Sequence, residues 1–470
     1  MNRGQKFIKK TFIYTIGSFG SKFLSFIMLP LYTYLISSAD YGLYDLITTT
    51  ITLLIPLVTL QTQEAIITGM ISDDVDNTQI IRSTFAILVF NSMITVICIF
   101  LLNCFLKIAY IEFITCIIVV KSFFTIIQQY ARGLNNSKLY AASGVIYTFI
   151  FLSLNIIELV ILKTGIKGLF ISEIIACILT TVFILIKEKR ICESGFLPLN
   201  KKTLKWVVFF SLPLVPNAIS WWMINASDRY VINFFMGASA NGIYAISYKF
   251  ANILQTITGL VYLAWQEMSI DEYNSSDKDY FLSKSFNIYS KFLLSISVVA
   301  FCLSKFVIEN TMSLEYQNAW MYTGWLFLGT SYIALSSFLN TGYLVNNKTS
   351  EILKGTIIAG IINIVVDVFL INSIGLYAAS ISTALSALVL VLLRIKDNMK
   401  FYNFNFDIKS FSLLSFYAIA IFLVCVLCSS PYTVIICFLI SVFVFIYANK
   451  DIIKGLFGVI IDKFGGNQNG

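Results

Sequence analysis

Fourteen long apolar runs constrain this chain more than any other feature. They lie at residues 11–36, 41–68, 82–105, 109–131, 138–162, 166–187, 204–234, 241–267, 283–304, 318–345, 350–371, 375–396, 411–428 and 431–449. About 20 helical residues cross the hydrocarbon core of a bilayer. Within that core every backbone N–H and C=O must be paired inside the protein, so a spanning segment is a helix or part of a closed barrel. Unbroken apolar runs of this length specify helices. The 470 residues are 58% hydrophobic and 12% charged, with a mean hydropathy of +0.82; a soluble domain is about a quarter charged. The expected fold is an all-α polytopic membrane protein with about 14 transmembrane helices. Residues 1–10 carry four cations, but the apolar stretch after them is too long for a signal core and lacks a small-residue cleavage site.

Composition removes several chemistries. The chain has no His, which excludes His–metal motifs, Ser–His nucleophiles and His proton relays. Its nine Cys lie mostly in apolar runs, where Cys packs as a small hydrophobe. Cys425 and Cys428 form a CxxC, but inside an apolar helix, which favours packing over a metal or redox role. The longest connections, about 305–317 and 187–203, are too short to fold as a catalytic domain. No enzyme activity, metal or cofactor is expected.

An even number of spans puts both termini on one side. Of the 33 Lys and Arg, 24 fall on that side, four on the other and five within the spans. The terminal-side clusters include Arg3, Lys6, Lys9 and Lys10, then Lys187 to Lys205, then Arg394, Lys396, Lys400 and Lys409. By the positive-inside rule the termini are cytoplasmic. The net charge of +8 reflects this bias and needs no nucleic-acid partner.

The chain also repeats itself. "SSADYGLYDLI" from Ser37 matches "GASANGIYAIS" from Gly237 at an offset of 200, so Gly42 meets Gly242 and Tyr44 meets Tyr244. "NIIELVILKTGIKGL" from Asn155 parallels "NIVVDVFLINSIGL" from Asn363, each with an Asn, a following acid and a Gly that restarts the next helix. Two copies of a six-helix unit entering from the same side form a parallel repeat about an axis along the membrane normal, which is a transporter arrangement. The expected organisation is an N-lobe at 1–187, a cytoplasmic linker at 188–203, a C-lobe at 204–396, a cytoplasmic loop at 397–410, two added helices at 411–449 and a cytoplasmic tail at 450–470.

Polar residues within spans should face the protein interior. Helical spacing collects them into faces: Thr15, Ser18, Lys22 and Ser25; Asp45, Thr48, Thr52, Thr59 and Gln63; Lys121, Thr125, Gln128 and Arg132; Asn217, Trp221, Asn225 and Asp228; Tyr244, Tyr248, Asn252, Gln255 and Tyr262. Single Ser and Thr are best read as bridges between helices. Lys22 and Lys121 sit half-way along their segments, too deep to reach the surface easily, and a midplane cation is a candidate site. Lys249 and Lys291 lie nearer the ends. Pro30, Pro56, Pro213 and Pro216 mark bends, static or moving. In "SWWMINASDRYVI", Ser220 to Ile232, the adjacent Asp228 and Arg229 point about 100° apart, so they cannot share one partner. Asp228 continues the Asn217–Asn225 face, and Arg229 turns to a neighbouring helix or the headgroups.

An apolar helix ending in "DRYVI", a short loop and "GIYAISYKFANIL" resembles the start of the second half of bacterial polysaccharide flippases. "FIMLPLYTYLISSADYGLYDLI" and "IGLYAASISTALS" resemble other parts of the same family. The resemblance extends over nearly the whole chain. It points to O-antigen or capsule repeat-unit flippases of Wzx type, in the superfamily that includes multidrug and toxic-compound extruders and lipid II flippases. It implies a bacterial inner-membrane protein moving an undecaprenyl-pyrophosphate-linked oligosaccharide outward, with a polymerase and a chain-length regulator as partners. A pyrophosphate needs cations, and sugars are bound by flat aromatic faces and amides. Lys22, Lys121, Arg229 and Lys249 are the candidates for the pyrophosphate, with Asn217, Asn225, Tyr248, Asn252 and Gln255 for the glycan. Glu64, Glu158, Glu173, Asp228 and Asp367 are the candidates for H+ or Na+ coupling. Three alternatives stand beside this reading: a cation-coupled drug extruder of the same fold, a flippase for lipid II or a teichoic-acid precursor, and a membrane enzyme of polysaccharide assembly.

Overall fold

The computed structural model describes residues 20, 22–71, 76–195, 198–271, 275, 277–346, 348–451 and 453–454. Thr15, Ser18 and both termini lie outside them. The described residues form helices and turns with no strand, and each of the fourteen apolar segments carries helix. The helices are α1 (Lys22–Leu35), α2 (Ser38–Thr59), α3 (Thr62–Ile71), α4 (Asn77–Leu106), α5 (Ile111–Gly133), α6 (Ser137–Ile156), α7 (Ile166–Lys187), α8 (Lys201–Ser211), α9 (Leu214–Ala226) and α10 (Asp228–Met236). They continue as α11 (Ala238–Asp271), α12 (Lys278–Thr311), α13 (Trp320–Phe338), α14 (Asn340–Val345), α15 (Thr349–Ile374), α16 (Leu376–Asn398), α17 (Ile408–Leu427) and α18 (Pro431–Ala448).

Among the described residues eleven spans are long and apolar enough to cross a membrane. The described part of the first segment, α1, is shorter, while α11 and α13 are long but more polar. In α13 this reflects position: it is buried along almost its whole length, so Thr323, Ser331 and Ser336 face protein. By contrast Phe90, Phe100, Phe105, Phe234, Phe369 and Phe443 are all more than 60% exposed. Large apolar side chains laid outward along many helices mark a lipid-facing surface.

The chain divides into two compact units, Met1–Gly242 and Ile243–Gly470. The division falls later than the 188–203 boundary expected from the repeat, because α8 packs on α3 and α4, and α9 and α10 pack on α2. In the first unit α5 is central, touching α2, α3, α4, α6 and α7. Its Ile118, Ile126, Tyr130 and Ala131 are fully buried. Between helices in lipid, close packing and hydrogen bonds replace the hydrophobic drive. Glycines supply such packing here. A Cβ on Gly42 would overlap the Ala238 carbonyl oxygen, and one on Gly242 would overlap the Ser38 carbonyl oxygen. At the same crossing the Ser38 and Ser239 hydroxyls are 2.7 Å apart and the Asn241 amide donates to the Gly42 carbonyl at 2.7 Å. The two stretches matched at an offset of 200 are therefore in contact.

Helix α2 starts on a reciprocal cap: the Ser37 hydroxyl accepts from the Asp40 amide and donates to its carboxylate at 2.9 Å. It passes through Pro56 and then breaks. Leu60 and Gln61 both take left-handed backbone angles, φ 48° and 56°, so the single segment expected at 41–68 is two helices. Asn91 donates to the freed Val58 carbonyl at 3.0 Å. The seventh segment is likewise interrupted, at Leu212–Pro213 and at Ser227.

Each unit contains a matching helix junction. Gly165 before α7 has φ 61°, ψ −141°, and Gly375 before α16 has φ 59°, ψ −140°, a region open essentially to glycine alone. Asn155 and Asn363, upstream of these turns, are both fully buried. The second motif match is thus a match of backbone conformation. In the second unit α13 packs on α12, α16 and α17, and α18 packs on α12.

Candidate functional site

The interior of the first unit holds a charged pair. Lys121 on α5 donates to Glu173 on α7 at 2.5 Å. The Tyr147 hydroxyl of α6 bonds the same carboxylate, and Tyr44 of α2 and Tyr32 of α1 lie close enough to feel its charge. Tyr32 accepts from buried Asn155 at 2.8 Å. The pair is asymmetric: 31% of the Lys121 side chain is exposed against 8% of Glu173. The lower half of the predicted Lys121 face turns to α6 instead. Gln128 donates to Ser143 at 2.9 Å, and the Arg132 guanidinium lies over Tyr140 at 5.6 Å.

A second pair answers the question of the adjacent Asp228 and Arg229. Arg229 Nε reaches Asp45 of α2 at 3.3 Å, and its Nη1 donates to the Asn225 carbonyl at 2.6 Å. The neighbouring helix, not the headgroup region, receives this guanidinium. Trp222 donates to the Thr49 carbonyl at 3.0 Å, and the Tyr230 and Thr50 hydroxyls are 2.5 Å apart. Three side chains of the segment are therefore spent on α2. Asp228 is fully buried. Asn225 bonds back to the Trp221 carbonyl at 2.8 Å, and Asn217 is half-buried.

The remaining candidates are dispersed. Lys22 on α1, Glu64 at the start of α3 and Lys249 on α11 are exposed, while Tyr248, Asn252 and Gln255 of α11 are half-buried. Glu158 sits in a π-helical turn after α6, where its carboxylate accepts from Thr164 at 2.9 Å. Asp367 on α15 is fully buried one turn beyond Asn363, which approaches Ser382 and Thr383 of α16 at 3.5 and 3.4 Å. Lys291 pairs with Asp407 at 3.0 Å. Outside the spans, the Ser410 hydroxyl and amide and then Lys291 hold the Asp407 carboxyl down at about 2.

Two cations differ from the sequence reading. Arg394, grouped above with the cytoplasmic loop cations, is 1% exposed and donates to Ser336 and Thr356 at 3.1 and 3.2 Å. It continues the buried face of α16 formed by Thr383, Ala387 and Val391, and that spacing was the available signal. Lys305, read as part of the loop opposite the termini, is 4% exposed; it lies 4.2 Å from the Trp320 ring and donates to the Ser429 carbonyl at 2.7 Å. Tyr147 was not singled out either, although it stands one turn from Ser143 on the face of α6 that meets Lys121 and Gln128. Among the described residues no group of three or more His, Cys, Asp or Glu could hold a metal ion.

Charged pairs and buried amides inside an all-helical, polytopic bundle with a two-copy repeat define a membrane protein of the transporter fold. The chain belongs to the family described as Polysaccharide biosynthesis protein, whose model matches residues 7–266. The fold is shared with the lipid II flippase MurJ in an inward closed conformation, at TM-score 0.67 and 16% identity, covering 95% of this chain and all of that one. An inward-facing multidrug resistance MATE family transporter of the MOP superfamily matches at TM-score 0.62 and 14% identity, over 83% of this chain and 95% of its own. The MATE transporter VcmN of Vibrio cholerae matches at 0.57 and 12%, over 84% and 96%. A comparison with curated proteins finds no sequence match. The solved structures that share the fold are a lipid II flippase and multidrug transporters.

Proposed function

We propose that the protein is a flippase for an undecaprenyl-pyrophosphate-linked oligosaccharide, an O-antigen or capsular repeat unit, which it moves from the cytoplasmic to the outer leaflet by alternating access. The family description and the fold held in common with a lipid II flippase support a lipid-linked saccharide as cargo. One observation favours an anionic cargo over a cationic drug: a lysine within a spanning helix, Lys121, keeps 31% of its side chain accessible. An accessible ammonium attracts phosphate and repels a cationic drug. In this reading Lys121 contacts the pyrophosphate, with Lys22, Arg229 and Lys249 as further cationic contacts. Asn217, Asn225, Tyr248, Asn252 and Gln255 contact sugars. H+ or Na+ drives the cycle through one or more of Glu64, Glu158, Glu173, Asp228 and Asp367. The protein sits in the bacterial inner membrane with both termini cytoplasmic, beside a polymerase and a chain-length regulator.

The test is a deletion strain. Lipid-linked repeat units should accumulate on the cytoplasmic leaflet while their synthesis continues. Normal surface polysaccharide in a strain without a redundant flippase would sink the assignment. A reporter fused after Lys201 should be active only as a cytoplasmic reporter, and an exterior signal would reverse the orientation.

A further inference from the structure

The asymmetry of the Lys121–Glu173 pair bears on how cargo and coupling ion are linked. An ammonium has three donors. Among the described residues the Lys121 side chain donates to Glu173 alone, and nearly a third of its surface is open. Glu173 is sealed beneath it. An anion can therefore reach the cation without having to reach the carboxylate, whereas an ion pair serving packing alone would be closed on both sides.

The surroundings of the carboxylate decide its charge once the cation leaves. From α5 it is faced by Lys121, with Cys116 beyond; from α6 by Tyr147; from α2 by Tyr44; from α1 by Tyr32; on its own helix by Cys177. Glu158, on the π-helical turn, is engaged with Thr164. Among the described residues Lys121 is the one cation in this set, and apart from Glu158 the rest are hydroxyls and thiols. A buried carboxylate that loses its sole cation is neutralised by a proton.

We propose that Lys121 is an exchange site for a phosphate-class oxyanion: it leaves Glu173 for the phosphate or pyrophosphate of an incoming lipid-linked substrate, and the freed Glu173 takes up one proton from the buffered solution. When the anion departs, the proton is released and the pair re-forms. The two roles assigned to different residues, cargo binding and proton coupling, then belong to the two halves of one ion pair. This rests on the anionic-cargo reading above. Substrate itself would gate the proton, since without it Lys121 stays on Glu173.

The test uses the full chain in nanodiscs with farnesyl pyrophosphate as probe, titrated calorimetrically in buffers of different ionisation enthalpy so that protons taken up per ligand are counted. Wild type should take up about one proton per bound probe. Glu173→Gln should bind about tenfold more tightly with no proton uptake, because the competitor is gone. Lys121→Gln should bind at least about tenfold more weakly, and Lys121→Arg should stay within a few-fold of wild type. Proton uptake that persists in Glu173→Gln, or wild-type affinity in Lys121→Gln, would overturn the exchange while leaving an anionic cargo standing. No binding of the probe by wild type would overturn both. Should Glu173→Gln fail to fold, the wild-type count still decides, since binding without net proton uptake refutes the proposal.

Discussion

The Asp45–Arg229 pair joins α2 to α10 and can be measured directly. Both side chains are nearly out of solvent, with 11% and 5% of their surfaces exposed, at an Nε–Oδ2 distance of 3.3 Å. With an effective dielectric of about 20, two unit charges at that distance attract by about 5 kcal/mol. Dehydration of both ions offsets much of this, so the intact pair adds little net stability, but breaking a buried pair by removing one partner costs about 3–5 kcal/mol. Asp45→Asn should therefore destabilise the protein by about 3 kcal/mol, and Arg229→Gln by a similar amount. The double variant should lose far less than the sum, with a coupling energy of about 2 kcal/mol or more. The assay is equilibrium unfolding of purified protein by sodium dodecyl sulfate in mixed micelles, on all four forms. Losses that simply add would refute the argument, because they would mean that the two charges do not compensate one another.

Two further outcomes are expected. Gly42→Ala should destabilise the protein by about 1–3 kcal/mol, since the new methyl group meets the Ala238 backbone, whereas Gly144→Ala should be neutral because its nearest neighbour is the Gln128 amide at 3.9 Å; equal thermal stability of the two would contradict the close crossing. Asp407 is held at about 2, below the ordinary value of about 3.9, so it contributes stability above about pH 4 that is lost as pH falls towards about 2; Asp407→Asn should flatten that part of the thermal stability profile, and an unchanged profile would remove the Ser410–Lys291 cluster as its cause.

Much of the architecture was legible in the sequence because bilayer thickness and backbone pairing leave few choices. α7 spans 166–187, as its apolar run did. The repeat was legible where glycine was required: Gly165 and Gly375 adopt the same rare conformation, and Gly42 and Gly242 meet in contact. The break at Leu60–Gln61 was not, since neither residue is Gly or Pro, while Pro56 nearby suggested a bend that the helix absorbs. The candidate residues were found in part and their partners hardly at all. Helical spacing places Lys121 on a polar face, and Glu173 stands out only as an acid within a span; they are 52 positions apart, and periodicity within one helix does not say which neighbour it meets. Arg394 was misplaced because a basic residue near a segment end reads as a loop cation; only its register with Ala387 and Val391 marks it as interior.

The left-handed turn at Leu60–Gln61 has a mechanical meaning. A continuous helix transmits rotation along its axis; this one does not. α2 packs on α4, α5, α7, α9 and α10, whereas α3 packs on α4, α5 and α8. A torque applied to α2 through the Arg229 end is not carried into α3 along the chain, and has to travel sideways through α4 and α5, which both touch α2 and α3. Holding two non-glycine residues there stores about 1–3 kcal/mol each, restrained by the Asn91 bond to Val58 and the Thr62 bond to Thr59 at 3.0 and 2.8 Å. The turn thus divides one span into two halves, of which the first meets α9 and α10 and the second meets α8.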